Sequence, residues 1–209
     1  MIRHTFVFDI GGVVVRWQPL ELMRQVFPAQ AHDEASAQAV ADAIFQGLTP
    51  GGDWAEFDRG RIEPAALAER IAARTGYAVQ SVTALIATIP AHIQPMPTSV
   101  ALLERARAAG HRLTLLSNMP TPYADHLEAT HACFGWFEAG VFSGRVGLMK
   151  PERAMFDHAR DALGLDLEQT LFIDDHPGNI EAARACGWQA LRFESAAQCE
   201  AELRRDGWL

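Results

Sequence analysis

Cysteine is scarce in this chain, long apolar runs are missing, and positive charge is outnumbered. The 209 residues contain three cysteines, Cys133, Cys186 and Cys199, far apart and with no CxxC pair. That excludes a disulfide framework and a cysteine-based zinc site, and it suits a reducing, cytoplasmic setting. No stretch approaches the roughly 18 apolar residues of a membrane span, and the N-terminus lacks the order of a secretory leader. Lys and Arg total 18 against 26 Asp and Glu, a formal net charge of -8. The clustered positive surface that nucleic acid demands is therefore not expected. A phosphorylated substrate is not excluded, because a cation and oriented amides override the global field locally. Neither an internal repeat nor a low-complexity segment is present.

What is there supports a sizeable core: 49% of residues are hydrophobic. The length is generous for one domain and short for two, as suits a core with a smaller insert. Thr5-Phe6-Val7-Phe8 predicts a strand buried on both faces, ending at Asp9 and the Gly11-Gly12 pair. Val13-Val14-Val15 predicts a short extended continuation. From Leu20 to Ile89 the texture is helical, with Val40, Ile44 and Leu48, then Leu67 and Ile71, then Leu85 and Ile89 at helical spacing. Pro28, Pro50-Gly51-Gly52, Gly60, Pro64 and Gly76 cut it into short helices. Beyond Pro97 strands and helices alternate: a helix capped by Thr98, the strand Leu113 to Leu116, and a helix from Pro122 to Thr130. A short strand before Phe142, a helix to Leu163 opened by Pro151, the strand Leu171 to Ile173, and further alternation to the C-terminus follow. Such alternation implies right-handed crossovers and a parallel sheet. The expected fold is α/β, a Rossmann-like parallel sheet core with a small all-helical cap domain inserted after the first strand. Residues 1–16 and 91–209 would form the core and 17–90 the cap.

Four segments carry polar groups where strands meet loops, which is where open α/β sheets place their chemistry. Asp9 ends the first strand, beside glycines that let the chain turn and bring backbone amides near an anion. Ser117-Asn118 follows the second and offers a hydroxyl and an amide to an oxyanion. Lys150 precedes Pro151 and Glu152. Asp174-Asp175 ends the fourth in Asp-Asp-His-Pro-Gly-Asn, and paired carboxylates after a buried strand demand a cation or donors. Hard oxygen ligands of this kind suit Mg²⁺.

In this order the segments resemble the haloacid dehalogenase-like hydrolase superfamily, over residues 4 to 193. The Ser117-Asn118 and Lys150-Pro151 pairs, with the Trp54 to Ile62 stretch, look most like its bacterial glucose-1-phosphatase-like branch, phosphatases of sugar 1-phosphates with a helical cap. The resemblance implies a phosphatase in which Asp9 attacks phosphorus and forms an aspartyl-phosphate. It implies Mg²⁺ held by Asp9, the Gly11 carbonyl and Asp175, with Asp174 acting through water. Ser117, Asn118 and Lys150 would bind the transferring group. Gly12, Trp54, Glu56 and Arg59 are the expected substrate contacts, an aromatic packing on a sugar ring and charges bonding its hydroxyls.

Most phosphatases of the superfamily carry a second Asp two residues after the nucleophile, as general acid and base; here Gly11 occupies that position. His176 and Glu56 are the candidates for activating water instead. Two other functions fit the same residues: a 2-haloacid dehalogenase, which uses the same attack without Mg²⁺, and a phosphoryl-ligand-binding protein with little turnover. The expected partner is a small phosphorylated metabolite, with no nucleic acid and no membrane, for a monomer or homodimer.

Overall fold

The computed structural model describes residues 3–46 and 51–209. Leu48 and Pro50, expected in a helical stripe and a break, lie outside the described residues. Five strands, β1 (Thr5–Phe8), β2 (Arg112–Ser117), β3 (Ala139–Phe142), β4 (Thr170–Asp174) and β5 (Gln189–Arg192), form one parallel sheet in the order β3-β2-β1-β4-β5. The order reverses at β1, so the crevice beyond its C-terminal end is the topological switch point of the sheet. Period-two alternation fills both faces. Phe6 and Phe8 point into one apolar cluster and Val7 into the other; Leu171 and Ile173 divide from Phe172 in the same way. On the second face Phe156, Phe172 and Trp188 meet edge to face at 5.7–6.0 Å, a geometry that suits the ring quadrupoles. The core helices are α6 (Pro97–Ala108), α7 (Thr121–Thr130), α8 (Ser143–Val146), α9 (Arg153–Leu163), α10 (Pro177–Ala185) and α11 (Ala196–Arg205).

Between β1 and α6 lie only helices among the described residues: α1 (Pro19–Val26), α2 (Glu34–Phe45), α3 (Asp53–Asp58), α4 (Pro64–Thr75) and α5 (Val79–His92). They bury their own apolar faces, with Leu22, Ile44, Leu67, Ile71 and Leu85 wholly inside. The helix α5 does not stop at Pro90 but runs through it to His92. Pro90 has no N–H for the carbonyl four residues back, which is Ile86, and the hydroxyl of Tyr123 in α7 donates to that carbonyl at 2.9 Å. A core side chain thus repairs a cap helix. Among the described residues no helix is long and apolar enough to cross a membrane.

Three local expectations are corrected. Val13-Val14-Val15 is a turn: the N–H groups of all three converge on the Ile10 carbonyl at 2.8–3.3 Å, and Val15 alone bridges to Gly11 and Pro95. The glycines won over β-branching, since Gly12 takes a positive φ of 76° that reverses the chain. The helix expected to be capped by Thr98 starts at Pro97, with Met96 as its cap residue and no side-chain bond, because proline is preorganised for a first helical position. Pro151 does not open the helix that follows; Glu152 caps it and Arg153 begins it.

Candidate active site

Asp9 stands one residue past β1, fixed by its N–H donating to the Ile173 carbonyl at 2.8 Å. Equal register on both sides, Phe8 opposite Leu115 and Ile173, brings the ends of β2 and β4 level with it. The ammonium of Lys150 fills the space between: Nζ is 2.8 Å from Asp9 Oδ1 and 2.6 Å from Asp174 Oδ2. All three side chains are buried. Burial, joined by Asp174 and Asp175 and opposed by Lys150, leaves the Asp9 carboxyl raised to about 7. Burial also works against the charge of Lys150, yet Asp174 and Asp9 outweigh it and its pKa is raised. Lys150 is the only lysine in the chain, a compositional signal that marks the position before any geometry is known.

The carboxylates divide by their partners. Asp174 accepts from Lys150, from the His176 N–H at 2.8 Å, and from Asn179 Nδ2 at 3.0 and 3.1 Å, so both its oxygens are occupied. Asp175, exposed at the mouth, takes no hydrogen bond from another residue's side chain, and burial and Asp174 raise its pKa. One oxygen each of Asp9, Asp174 and Asp175 lies within 4.8 Å of the others. Among the described residues the Gly11 carbonyl accepts no hydrogen bond. A hard divalent cation fits this donor set: three carboxylates against one ammonium leave two negative charges, and free oxygens remain on Asp175 and Gly11. Gly12 is compressed here, since a Cβ on it would lie 2.5 Å from Asp175 Oδ2.

The other expected contacts fare unevenly. Ser117 is buried at the end of β2, and its hydroxyl has no partner among the described residues, which leaves it available. The Asn118 side chain is spent on Lys150, donating to its carbonyl and accepting from its N–H, both at 2.8 Å. It holds the lysine and does not point at a ligand. The Gly12 N–H is likewise spent on the Val15 carbonyl at 2.9 Å. Trp54 is not a sugar platform: it is 4% exposed and lies edge to face on Phe45 at 4.6 Å and Phe57 at 5.7 Å. Glu56 pairs with Arg61 at 3.2 Å, and Arg59 is bound to Glu152 by a two-pronged ion pair. His176 Nδ1 caps α10 by accepting from the Gly178 N–H at 3.2 Å. The two candidates for activating water are thus both engaged.

Sequence reasoning missed Asn179, visible only once its helix turns it back on Asp174, and Asp58. Asp58 sits at the end of α3, 5% exposed, where its carbonyl accepts from Ser143 Oγ at 2.6 Å. Burial pushes its carboxyl up to about 8. Because the folded value lies above the unfolded one, the neutral form favours folding, and stability is lost as pH rises toward 8. Asp58→Asn should therefore exceed the parent in stability by a few kcal/mol at about pH 9 and by much less at about pH 5. Denaturant unfolding across that range measures it; a gap that does not grow with pH would mean the carboxyl is solvated or paired.

The sequence model of the haloacid dehalogenase-like hydrolase family matches residues 4–187. Over 200 residues the chain is 25% identical to a sesquiterpene phosphatase of Aspergillus oryzae, covering 95% of this chain and 94% of that protein. A HAD family enzyme of Bacteroides thetaiotaomicron, solved in complex with magnesium and inorganic phosphate, superposes with a TM-score of 0.70 at 18% identity, over 91% of this chain and 93% of the other. The L-2-haloacid dehalogenase of Xanthobacter autotrophicus, solved with chloropropionic acid covalently bound, superposes at 0.67 with 16% identity, over 100% of this chain and 85% of the other. At these identities the two structures speak for the fold.

Proposed function

We propose that this chain, which belongs to the haloacid dehalogenase-like hydrolase family, is a Mg²⁺-dependent phosphomonoesterase whose nucleophile is Asp9. One observation carries the reading: a lone buried ammonium faces three carboxylates, and the outermost of them, Asp175, has no side-chain partner. A dehalogenase releasing a halide has no use for that surplus negative charge. A site that gathers a cation and a phosphoryl group does. Asp9, Asp175 and the Gly11 carbonyl would hold the metal, with Asp174 behind them. Bound there, Mg²⁺ would neutralise charge on the phosphoryl oxygens.

The chain's own groups supply the rest. Lys150 binds Oδ1 of Asp9, which leaves Oδ2 to attack phosphorus as the bond to the leaving alcohol breaks. Ser117 Oγ and Lys150 Nζ stand ready for the equatorial oxygens. Water then displaces Asp9 from phosphorus and restores the carboxylate. No side chain at Gly11 protonates the leaving oxygen, so the site favours alcohols that depart readily. An anomeric hydroxyl is one, and we propose a sugar 1-phosphate as the preferred small metabolite.

A screen of phosphomonoesters that includes sugar 1-phosphates, a terpenyl phosphate and an aryl phosphate tests this directly. Hydrolysis should need Mg²⁺, disappear with a chelator, and return when the metal is restored. Release of halide from a 2-haloacid by metal-free protein would establish the dehalogenase instead. Phosphate binding without turnover of any ester would make the chain a binding protein.

A further inference from the structure

Resting on that reading for its kinetics, we propose that Arg59 of the cap is a positioning residue for Lys150, so that closure of the cap assembles the catalytic loop. Lys150 lies in the segment 147–152 between α8 and α9. The core holds this segment at Lys150, its backbone through the two hydrogen bonds of Asn118 and its ammonium through Asp9 and Asp174. The cap holds it at two others. Arg59, at the end of α3, forms a two-pronged ion pair with Glu152, two residues after the lysine. Arg59 and Arg61 also both donate to the Gly147 carbonyl at 3.4 Å, three residues before it. The clasp therefore straddles Lys150 from both sides along the chain.

Its setting makes it a device of the closed state. Arg59 is 6% exposed, and its hydrogen bonds, with its charge, hold the Glu152 carboxyl below the usual carboxylate range. A two-pronged guanidinium–carboxylate pair fixes orientation as well as distance. Beside it the backbones touch. A Cβ on Gly60 would collide with the Gly144 carbonyl, and one on Gly144 would meet Thr121 N at 2.5 Å and the Met119 carbonyl at 2.9 Å. Ser143 Oγ donates to the Asp58 carbonyl at 2.6 Å and accepts from Met119 N–H at 2.7 Å, which ties the same end of α3 to the residue after Asn118. When the cap lifts, the contacts made by Arg59, Arg61, Gly60 and the Asp58 carbonyl break together. The segment keeps the Asn118 bonds to the Lys150 backbone and the ion pairs of its ammonium, with the chain released on both sides of the lysine. A lysine that swings away from Asp9 in the open protein leaves the nucleophile idle until substrate is enclosed, which is how binding can be made to switch on chemistry.

The single lysine makes the idea testable without turnover. Protein labelled with ¹³C at the lysine ε-carbon gives one lysine signal, that of Lys150. In the parent it should be sharp and displaced from that of free lysine, because the ammonium is buried between two carboxylates. In Arg59→Ala and in Glu152→Gln it should broaden or move toward the free position. kcat should fall tenfold or more, by the same factor on a sugar phosphate and a small aryl phosphate, with KM changing less. The exchanged pair, Arg59→Glu with Glu152→Arg, should recover part of both readouts. Glu152→Gln, at a half-exposed site, covers the case in which Arg59→Ala does not fold. An unmoved lysine signal in folded variants overturns the proposal even if the protein proves to have no phosphatase activity. A loss confined to the sugar phosphate also overturns it, placing Arg59 on the substrate.

Discussion

Asp9→Asn should yield a folded protein with no measurable phosphomonoesterase activity, a loss on the order of 10⁴-fold or more. The substitution keeps shape and one oxygen acceptor for Lys150 but removes the lone pair that attacks phosphorus. Folding should be spared for an electrostatic reason. Lys150 retains Asp174 at 2.6 Å, and removing the Asp9 charge relieves a cluster in which burial and Asp174 already disfavour it. The apo variant should therefore unfold at or slightly above the parent's temperature while turnover vanishes. That split separates a catalytic from a structural carboxylate, and thermal unfolding beside a phosphate-release assay reads it. Turnover within tenfold of the parent, with deamidation back to Asp excluded by mass spectrometry, would remove Asp9 from the nucleophile's role.

The site was legible in the sequence to the extent that local chain chemistry fixes it. Asp9 and Asp174 follow apolar strands, and a strand end in a parallel sheet has one place to point its next residue. Their meeting with Lys150 could be read from the order of the segments. Partners that only tertiary structure chooses were not legible. The Asn118 amide suits an oxyanion or a backbone equally well, and it found the Lys150 backbone. Trp54 and Phe57, three apart, fit a helix stripe and a binding face alike; the aromatic neighbours Phe45 and Tyr123 decided for the interior. Arg59 reads as a substrate contact until Glu152, 93 residues away, is seen beside it. The fold was clearer than its edges. Alternating segments gave the sheet, whereas the triple valine and Thr98 were misread because glycine and proline at the neighbouring position outweighed propensity.

Placing the missing carboxyl should raise activity where leaving groups are poor. At Gly11 a Cβ meets nothing within 4 Å, and the residue is not among the glycines with positive φ, so Gly11→Asp adds a side chain without strain. The new carboxyl stands two residues beyond Asp9, at the position where most phosphatases of the family carry their acid. There it can hand a proton to a departing alkoxide, and positioned acids are worth roughly 10²–10⁴-fold. The gain has a cost, since a fourth carboxylate joins three that share one ammonium. Tighter dependence on Mg²⁺ and a somewhat less stable apo protein should accompany it. On a simple alkyl phosphate kcat/KM should rise roughly tenfold to a hundredfold. On an aryl phosphate, whose phenolate leaves without help, it should stay flat or fall. Equal changes on both esters would mean the new carboxyl acts through the charge of the site and not as an acid. A fall on the alkyl ester alone would mean that the chain already protonates such leaving groups from elsewhere, and that Gly11 is not what selects its substrates.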